Sequence, residues 1–375
     1  MKLIINTTTL SGTGVTQVAV SFIYECIDFP ENSYHVFLST TVSKEINIKD
    51  FPDNFKFYQF ENHPLYGLKG WHTRKKLRKL ESVINPDIVF SVFGPACWTP
   101  KSKHVTGFAN SYYVYPESPF FKKISFKNWI RINLMKIAHR FFLKRNGAYF
   151  ICETEDMSRR LVSFLGTKNS NVFTVSNTFN KYFEKTNLAS QKKLLPKPAP
   201  EEFRLLSLAS FDIHKNLTII NDISAKLEAN NLGKDIKFIL TIDPLKLEKN
   251  FSEVAKRHII NLGRIDVKDC AQLYSECNAL FLPTLIESFS ANYPEAMKME
   301  IPILTSHFSF AKSICDNAAL YFDPLDADDI VLKIMQIIND KALSNLLVEN
   351  GRQRLRVFGN AQKRAERYFE VFKSI

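Results

Sequence analysis

Short apolar runs alternate with stretches of helical periodicity from one end of this chain to the other, and that alternation constrains its fold more than any other feature. KLIINTTT, YHVFLS, FKFYQF, DIVFSV, HVTGFA, AYFICE and NVFTVS form a first series, with helical stretches such as WHTRKKLRKLESVI and MSRRLVSFLG between them. FRLLSLAS, DIKFILTI, HIINLG, NALFLPT, IPILTS and AALYF form a second. A helix between two strands gives the chain room for a crossover, so neighbouring strands run parallel, and a parallel sheet needs helices on both faces. The prediction is an α/β protein of two doubly wound, Rossmann-like domains facing across a cleft, with ligands at the carboxyl ends of the strands. Between the two series, residues 183–202 (FEKTNLASQKKLLPKPAPEE) lose periodicity and gather three prolines, as a linker does. The expected division is residues 1–182, a linker over 183–202 and residues 203–357, with a closing helix at about 358–375 placed to pack back on the first domain.

At 375 residues and 45% hydrophobic, the chain has apolar mass for a core in each domain, and disordered or collagen-like structure is excluded. Cys26, Cys97, Cys152, Cys270, Cys277 and Cys315 form no CxxC pair and follow no signal peptide. They are expected to act as small hydrophobes in a reduced, cytoplasmic setting. No apolar run approaches the roughly 20 residues of a membrane span, so a soluble or peripheral protein is expected. The formal charge of +12 is uneven: residues 1–185 hold 25 Lys and Arg against 14 Asp and Glu, and the remainder holds 25 against 24. Residues 69–79 and 122–145 concentrate it. The second stretch sets Trp129, Ile130, Leu134, Met135, Ile137, Phe141, Phe142 and Leu143 among cations. That composition suits a helix on the inner, anionic face of a membrane, unless its apolar side packs on the sheet instead. No nucleic-acid motif accompanies the charge, so nucleic acid is not an expected partner.

Two carboxylates, Glu287 and Glu295, stand eight residues apart, one just after the run NALFLPT and the other in the opening turn of the next helix. Both can face one ligand, and the backbone N–H groups between them carry the positive end of a helix dipole, suited to a diphosphate. Taken alone, Glu287 is equally a loop carboxylate and Glu295 a favourable first-turn charge. Lys215, in His214-Lys215-Asn216-Leu217, opposes the dipole of the helix it begins, which makes a purely local role unattractive. Gly12-Thr13-Gly14 follows the first strand; a plain turn or a backbone approached by ligand explains it equally well. It is no GxGxxG, so a dinucleotide cofactor is not expected. Asp326-Ala-Asp328 precedes a helix directly and reads as a cap, not a metal site.

The stretch from Glu287 to Glu295, with Met297-Lys-Met-Glu-Ile-Pro-Ile-Leu-Thr and Asn317-Ala-Ala-Leu-Tyr-Phe-Asp-Pro downstream and Asn261-Leu-Gly-Arg-Ile265 upstream, resembles the retaining GT-B glycosyltransferases of family 4, the group 1 glycosyltransferases. The likeness covers nearly the whole chain and is strongest over residues 203–330. It implies a metal-independent hexosyltransferase of polysaccharide biosynthesis. The co-substrate would be a nucleoside diphosphate sugar, with UDP and GDP undecided and no cofactor, and the acceptor a surface glycan or lipid-linked saccharide. Residue by residue, it implies that Glu295 holds the ribose, Glu287 the transferred sugar and Lys215 the donor phosphates. Amides around Ser288, Phe289, Ser290, Ala291 and Asn292 would hold the diphosphate. Arg264, Ile265 and Lys268 would lie near the base, and Gly12, Thr13 and Gly14 near the diphosphate and acceptor. Catalysis would rest on orientation by Glu287 and Asn110 and charge neutralisation by Lys215.

The chain departs from the family pattern at four positions. Ser210 stands where an arginine is common, and Asn110 where a histidine is common; an amide positions a hydroxyl but takes no proton. Serines replace glycines at 288 and 290, so that loop must avoid positive φ or tolerate it. None of the eight histidines stands in a setting recognisable for elimination chemistry, which counts against a nucleotide-sugar 2-epimerase. A non-catalytic nucleotide-sugar- or lipid-binding subunit remains the reading that the missing histidine and arginine leave open.

Overall fold

A computed structural model describes residues 1–185, 188, 191–230 and 235–375. Four residues of the expected linker, at 186, 187, 189 and 190, therefore lie outside the described residues. The chain divides into two compact units. All thirteen predicted strands are present, seven in the first unit and six in the second.

The first unit comprises Met1–Pro116, Ser125–Asn177 and Ala361–Ile375. Its strands are β1 (Lys2–Asn6), β2 (Ser33–Ser39), β3 (Phe55–Phe60), β4 (Ile88–Ser91), β5 (Lys103–Phe108), β6 (Tyr149–Cys152) and β7 (Val172–Thr174), in the order β3-β2-β1-β4-β5-β6-β7. Every pairing is parallel; Ile5, for example, lies opposite Val36 on one side and Phe90 on the other. Alternate residues of β1 serve the two faces, since strand side chains alternate. Leu3 and Ile5 join Phe22, Val36 and Phe90 in one core, and Ile4 joins Phe37, Val89 and Trp98 in the other. The closing helix Ala361–Ser374 belongs to this unit, where it buries Tyr368, Phe369 and Phe372 around Phe22 and Phe90, each side chain stabilising by about 2 kcal/mol. Its buried Arg364 is paired with Glu25 and donates to the Ser21 hydroxyl at 2.8 Å.

The second unit comprises Thr178–Asn360 together with Glu117–Ile124, a segment the periodicity assigns to the first half. Its strands are β8 (Glu202–Ser207), β9 (Asp235–Leu240), β10 (Ile259–Asn261), β11 (Ala279–Leu282), β12 (Ile303–Ser306) and β13 (Ala319–Phe322), all parallel, in the order β10-β9-β8-β11-β12-β13. Phe238, Phe281, Leu304 and Phe322 form the centre of its core.

In both units the strand order reverses beside the first strand of the sheet: between β1 and β4, and between β8 and β11. At such a switch point the loops leaving the two central strands part in opposite directions and open a crevice at the carboxyl ends. The Gly12 loop leaves β1, and the Lys215 turn and the Glu287 loop leave β8 and β11. No helix among the described residues is long and apolar enough to cross a membrane, and all six cysteines are buried free thiols.

Candidate active site

The switch point of the second unit brings together the residues for which the sequence makes the strongest case. After β8 the chain makes a tight turn, Ile213–Lys215, closed by Asn216 in the left-handed region at φ 53. Asparagine tolerates that conformation better than most residues. Asn216 is buried, and its amide donates to the Pro324 carbonyl at 2.8 Å. After β11 the Leu285 N–H donates to the His214 carbonyl at 2.8 Å, which ties the second loop to the first. The result is an ion pair between Lys215 Nζ and Glu287 Oε2, with only 15% and 17% of the two side chains exposed. His214, beside it, is held below the ordinary histidine pKa by burial and by the Lys215 charge, with Glu287 opposing.

Two contacts from Glu117–Ile124 buttress this pair. The Ser118 hydroxyl donates to the Leu285 carbonyl at 2.7 Å, and Lys123 Nζ donates to Asn216 Oδ1 at 2.7 Å. Neither residue carries a signal in the sequence, because they are 167 and 93 positions from their partners.

Glu295 sits in the first turn of the helix Asn292–Lys298 and is buried. Its Oε2 accepts the Tyr274 hydroxyl at 3.0 Å from the helix Cys270–Ser275. Burial pushes its carboxyl up to about 7, with the tyrosine bond working the other way. The helix start itself is anchored by Asn292, whose amide donates to the Leu208 carbonyl at 2.7 Å. The N–H groups of Ser290, Ala291 and Asn292 have no intrachain acceptor among the described residues, as the opening of a helix requires. Ser288 and Ser290 both avoid positive φ, so the loop follows a path that needs no glycine. Phe289 is buried edge-on against Phe358 and anchors the loop.

The remaining predicted positions of this unit spread outward. Ser210 is exposed, and its hydroxyl donates to Asp212 at 2.5 Å. Beyond Gly263, at φ +67, Arg264 is exposed, Ile265 half-buried, and Lys268 pairs loosely with Asp266 at 3.5 Å. Asp326 accepts the N–H groups of Asp328 (2.9 Å) and Asp329 (3.3 Å), capping the helix Ala327–Asn339.

In the first unit, Gly12 and Asn110 line one cavity of about 180 Å³ at the β1–β4 switch point. Thr13 opens the helix Thr13–Glu25, with Gly14 in its first turn. A Cβ built on Gly12 meets only Val15, in ordinary contact, and one on Gly14 meets nothing within 4 Å. The fold itself does not demand glycine at either place. Gly107 differs: a Cβ there would fall 1.7 Å from the Val92 carbonyl oxygen, so only glycine lets β5 approach the loop after β4. Two histidines join this cavity from distant elements, His63 from the loop after β3 and His139 from the helix Phe126–Asn146. Neither stands in a setting recognisable from sequence, because they are 76 residues apart and belong to no shared motif.

Residues 191–354 match the family Glycosyl transferases group 1. A 90-residue stretch is 27% identical to O-antigen chain mannosyltransferase B of Escherichia coli; it spans 24% of this chain and 24% of that protein, so only about a quarter of the relative's length is matched. Among solved structures, the fold is similar to a glycosyltransferase from Rickettsia africae ESF-5 at a TM-score of 0.72, with 14% identity over 100% of this chain and 98% of that one. It is similar to sucrose-phosphate synthase from Thermosynechococcus elongatus at 0.71, with 14% identity over 100% and 98%. HepE of Anabaena, solved with UDP and glucose, gives 0.67, with 11% identity over 100% of both chains. At these identities the likeness is one of fold, and the fold is that of the GT-B glycosyltransferases. The matched segment 191–354 carries Lys215, Glu287 and Glu295.

Proposed function

We propose that the chain is a retaining, metal-independent hexosyltransferase that moves a sugar from a nucleoside diphosphate sugar to a surface-glycan or lipid-linked acceptor. The observation that carries this reading is the Lys215–Glu287 pair, held in part-buried surroundings at the switch point of the group 1 unit. A lysine and a carboxylate so placed suit the two ends of one substrate. Lys215 neutralises charge on the departing diphosphate, and Glu287 accepts hydroxyls of the sugar being transferred. The free N–H groups at Ser290, Ala291 and Asn292 add donors for phosphate oxygens, and Glu295 accepts from the ribose. Asn110 orients the acceptor. In a front-face displacement the leaving phosphate oxygen receives the acceptor's proton, so the protein's task is alignment and charge neutralisation. The mannosyltransferase relative supports transfer of a hexose, and the complexes of HepE with UDP and with UDP-glucose support a nucleoside diphosphate sugar as donor. A cytoplasmic enzyme working at an anionic membrane surface fits the exposed Phe126, Trp129, Leu134 and Ile137 on the cationic helix Phe126–Asn146.

Thermal-shift titration against UDP, GDP and their sugars tests the donor site. A ligand at about a hundred times its Kd stabilises by roughly 2.7 kcal/mol, so the true donor stands apart on one plate. Glu295→Ala is then expected to weaken nucleotide binding, and Glu287→Ala to lower kcat with a smaller effect on donor affinity. Unchanged kinetics in both variants would overturn the assignment.

A further inference from the structure

The two oxygens of Glu295 stand in different surroundings. Oε2 accepts the Tyr274 hydroxyl at 3.0 Å, and Tyr274 is fully buried. Oε1 accepts nothing from the chain among the described residues, yet it is not one of the buried unpartnered oxygens, so it opens to solvent. The carboxylate therefore turns one oxygen inward and one outward.

The tyrosine that takes the inner oxygen is braced from a distance in sequence. Its ring stands edge-on to Phe183 at 5.6 Å. Just beyond its helix, the Glu276 carboxylate accepts the N–H groups of Leu194 (3.0 Å) and Leu195 (2.8 Å) and the Gln272 amide (2.6 Å). Phe183, Leu194 and Leu195 all belong to the stretch expected to act as a plain linker, which here pins the helix Cys270–Ser275. The Tyr274 hydroxyl has one proton and two acceptors in reach, Glu295 Oε2 and the Asn292 carbonyl at 3.4 Å. An ionised carboxylate makes the shorter and stronger bond, so it holds the proton. Burial keeps the phenol well above the ordinary tyrosine pKa, so it stays a donor throughout the neutral range. The other titratable groups close by are the Cys270 and Cys277 thiols, both pushed by burial up to about 12. On the helix of Glu295 itself, Lys298 reaches over the Phe179 ring.

We infer that Tyr274 is the positioning residue of Glu295: by occupying Oε2 it leaves Oε1 as the single acceptor for a nucleotide, so the site reads one ribose hydroxyl and not the pair. That the ligand is a nucleotide rests on the transferase reading; the division of the carboxylate does not. A hydroxyl facing Oε1 makes a charge-assisted bond, and its neighbour on the ribose makes none. The Tyr274 bond also works against the effect of burial on Glu295. Without it the carboxyl needs a higher pH to reach the same ionised fraction.

The test uses the full chain, with UDP and GDP and the 2′-deoxy and 3′-deoxy forms of whichever binds more tightly. One deoxy form should bind about tenfold more weakly and the other within twofold of the parent. Tyr274→Phe keeps the ring and its packing. It should bind nucleotide several-fold more weakly than wild type at pH 7 and within twofold of it at pH 8.5. In a Glu295→Gln background the same substitution should show no recovery at high pH, since no charge remains to restore. Equal effects of the two deoxy forms, or a Tyr274→Phe deficit that is constant with pH, would overturn the inference. Carboxyl carbon NMR of the free protein gives a readout without nucleotide: the Glu295 midpoint should rise in Tyr274→Phe, and an unmoved midpoint sinks the proposal. A wild type that binds neither UDP nor GDP while that midpoint moves as expected sinks the transferase reading and leaves the Tyr274–Glu295 division standing.

Discussion

Glu295 bears opposing demands. In its proposed role on the ribose it works best as a carboxylate, yet burial raises its carboxyl to about 7, above the usual glutamate value. The folded state therefore holds a proton that the unfolded chain has already released between about pH 4.5 and 7, and stability falls as pH rises through that window. Above pH 7 the ionised form carries the full penalty, on the order of 3 kcal/mol. Glu295→Gln keeps an acceptor for Tyr274 without the charge. In urea unfolding the variant should exceed the wild type by up to about 3 kcal/mol at pH 8 and match it near pH 4. An advantage independent of pH would show that Glu295 is not ionised against its surroundings. Nucleotide binding reports the other side of the same trade, since the variant should bind more weakly at pH 8 despite its greater stability. The Lys215–Glu287 pair makes a complementary prediction. Glu287 holds part of the Lys215 charge in the free protein, so Glu287→Gln should tighten UDP or GDP binding several-fold while turnover drops. Isothermal titration beside initial rates separates the two effects.

At the scale of elements, the helix that carries Glu295 ends in a way its sequence does not advertise. Beyond Lys298, the Glu300 N–H donates to the Met297 carbonyl (3.3 Å) and the Ile301 N–H to the Ala296 carbonyl (3.2 Å), the paired bonds of a Schellman ending. That ending places its first outside residue in the left-handed region, where glycine is usual; here Glu300 adopts φ 59 and pairs with Arg352 at 2.6 Å. Left-handed backbone costs a side-chain-bearing residue about 1–2 kcal/mol, whereas an ion pair half exposed on both sides contributes at most about 1. Glu300→Gln removes the pair and keeps the strain; Glu300→Gly removes both. The glycine variant should be the more stable of the two by about 1 kcal/mol, a few degrees in Tm, and equal midpoints would mean the backbone pays nothing there. Strands and helices were legible throughout, because a run such as IPILTS has no stable place except in a sheet covered on both faces. What stayed hidden depends on contacts across long separations. Glu117–Ile124 interrupts no periodicity, yet Ser118 and Lys123 belong with Leu285 and Asn216. Tyr274 appears as one more apolar position of VKDCAQLYSEC until its hydroxyl is found on Glu295. The cavity histidines are of the same kind: local spacing locates a turn or a face, but only the folded sheet decides which faces meet.

For the molecule as a whole, charge and apolar exposure coincide in one place. No Asp or Glu occurs between Glu117 and Glu153, a span with eight Lys and Arg. Within it the helix Phe126–Asn146 buries only Leu143 and Asn146, while Phe126, Leu134 and Ile137 are 75%, 63% and 68% exposed. The alternative that this helix packs its apolar side on the sheet thus accounts for little of it. Phe126 and Trp129 stack on each other at 6.0 Å, and Arg145 lies over the Phe141 ring, so aromatics and cations share the same exposed surface. Each cation near an anionic membrane contributes about 1 kcal/mol, and the exposed rings add interfacial burial. Vesicles containing phosphatidylserine should carry the protein in flotation at low salt, and vesicles of phosphatidylcholine alone should not. Raising salt toward 1 M shrinks the Debye length to about 3 Å and should release it. Reversing Lys127 and Arg131 to glutamate should weaken binding by about 2 kcal/mol or more, some thirtyfold, whereas Trp129→Ala should weaken it with little change in salt dependence. Failure to float with anionic vesicles at low salt would leave the helix as a solvent-exposed surface and direct the acceptor search toward soluble saccharides.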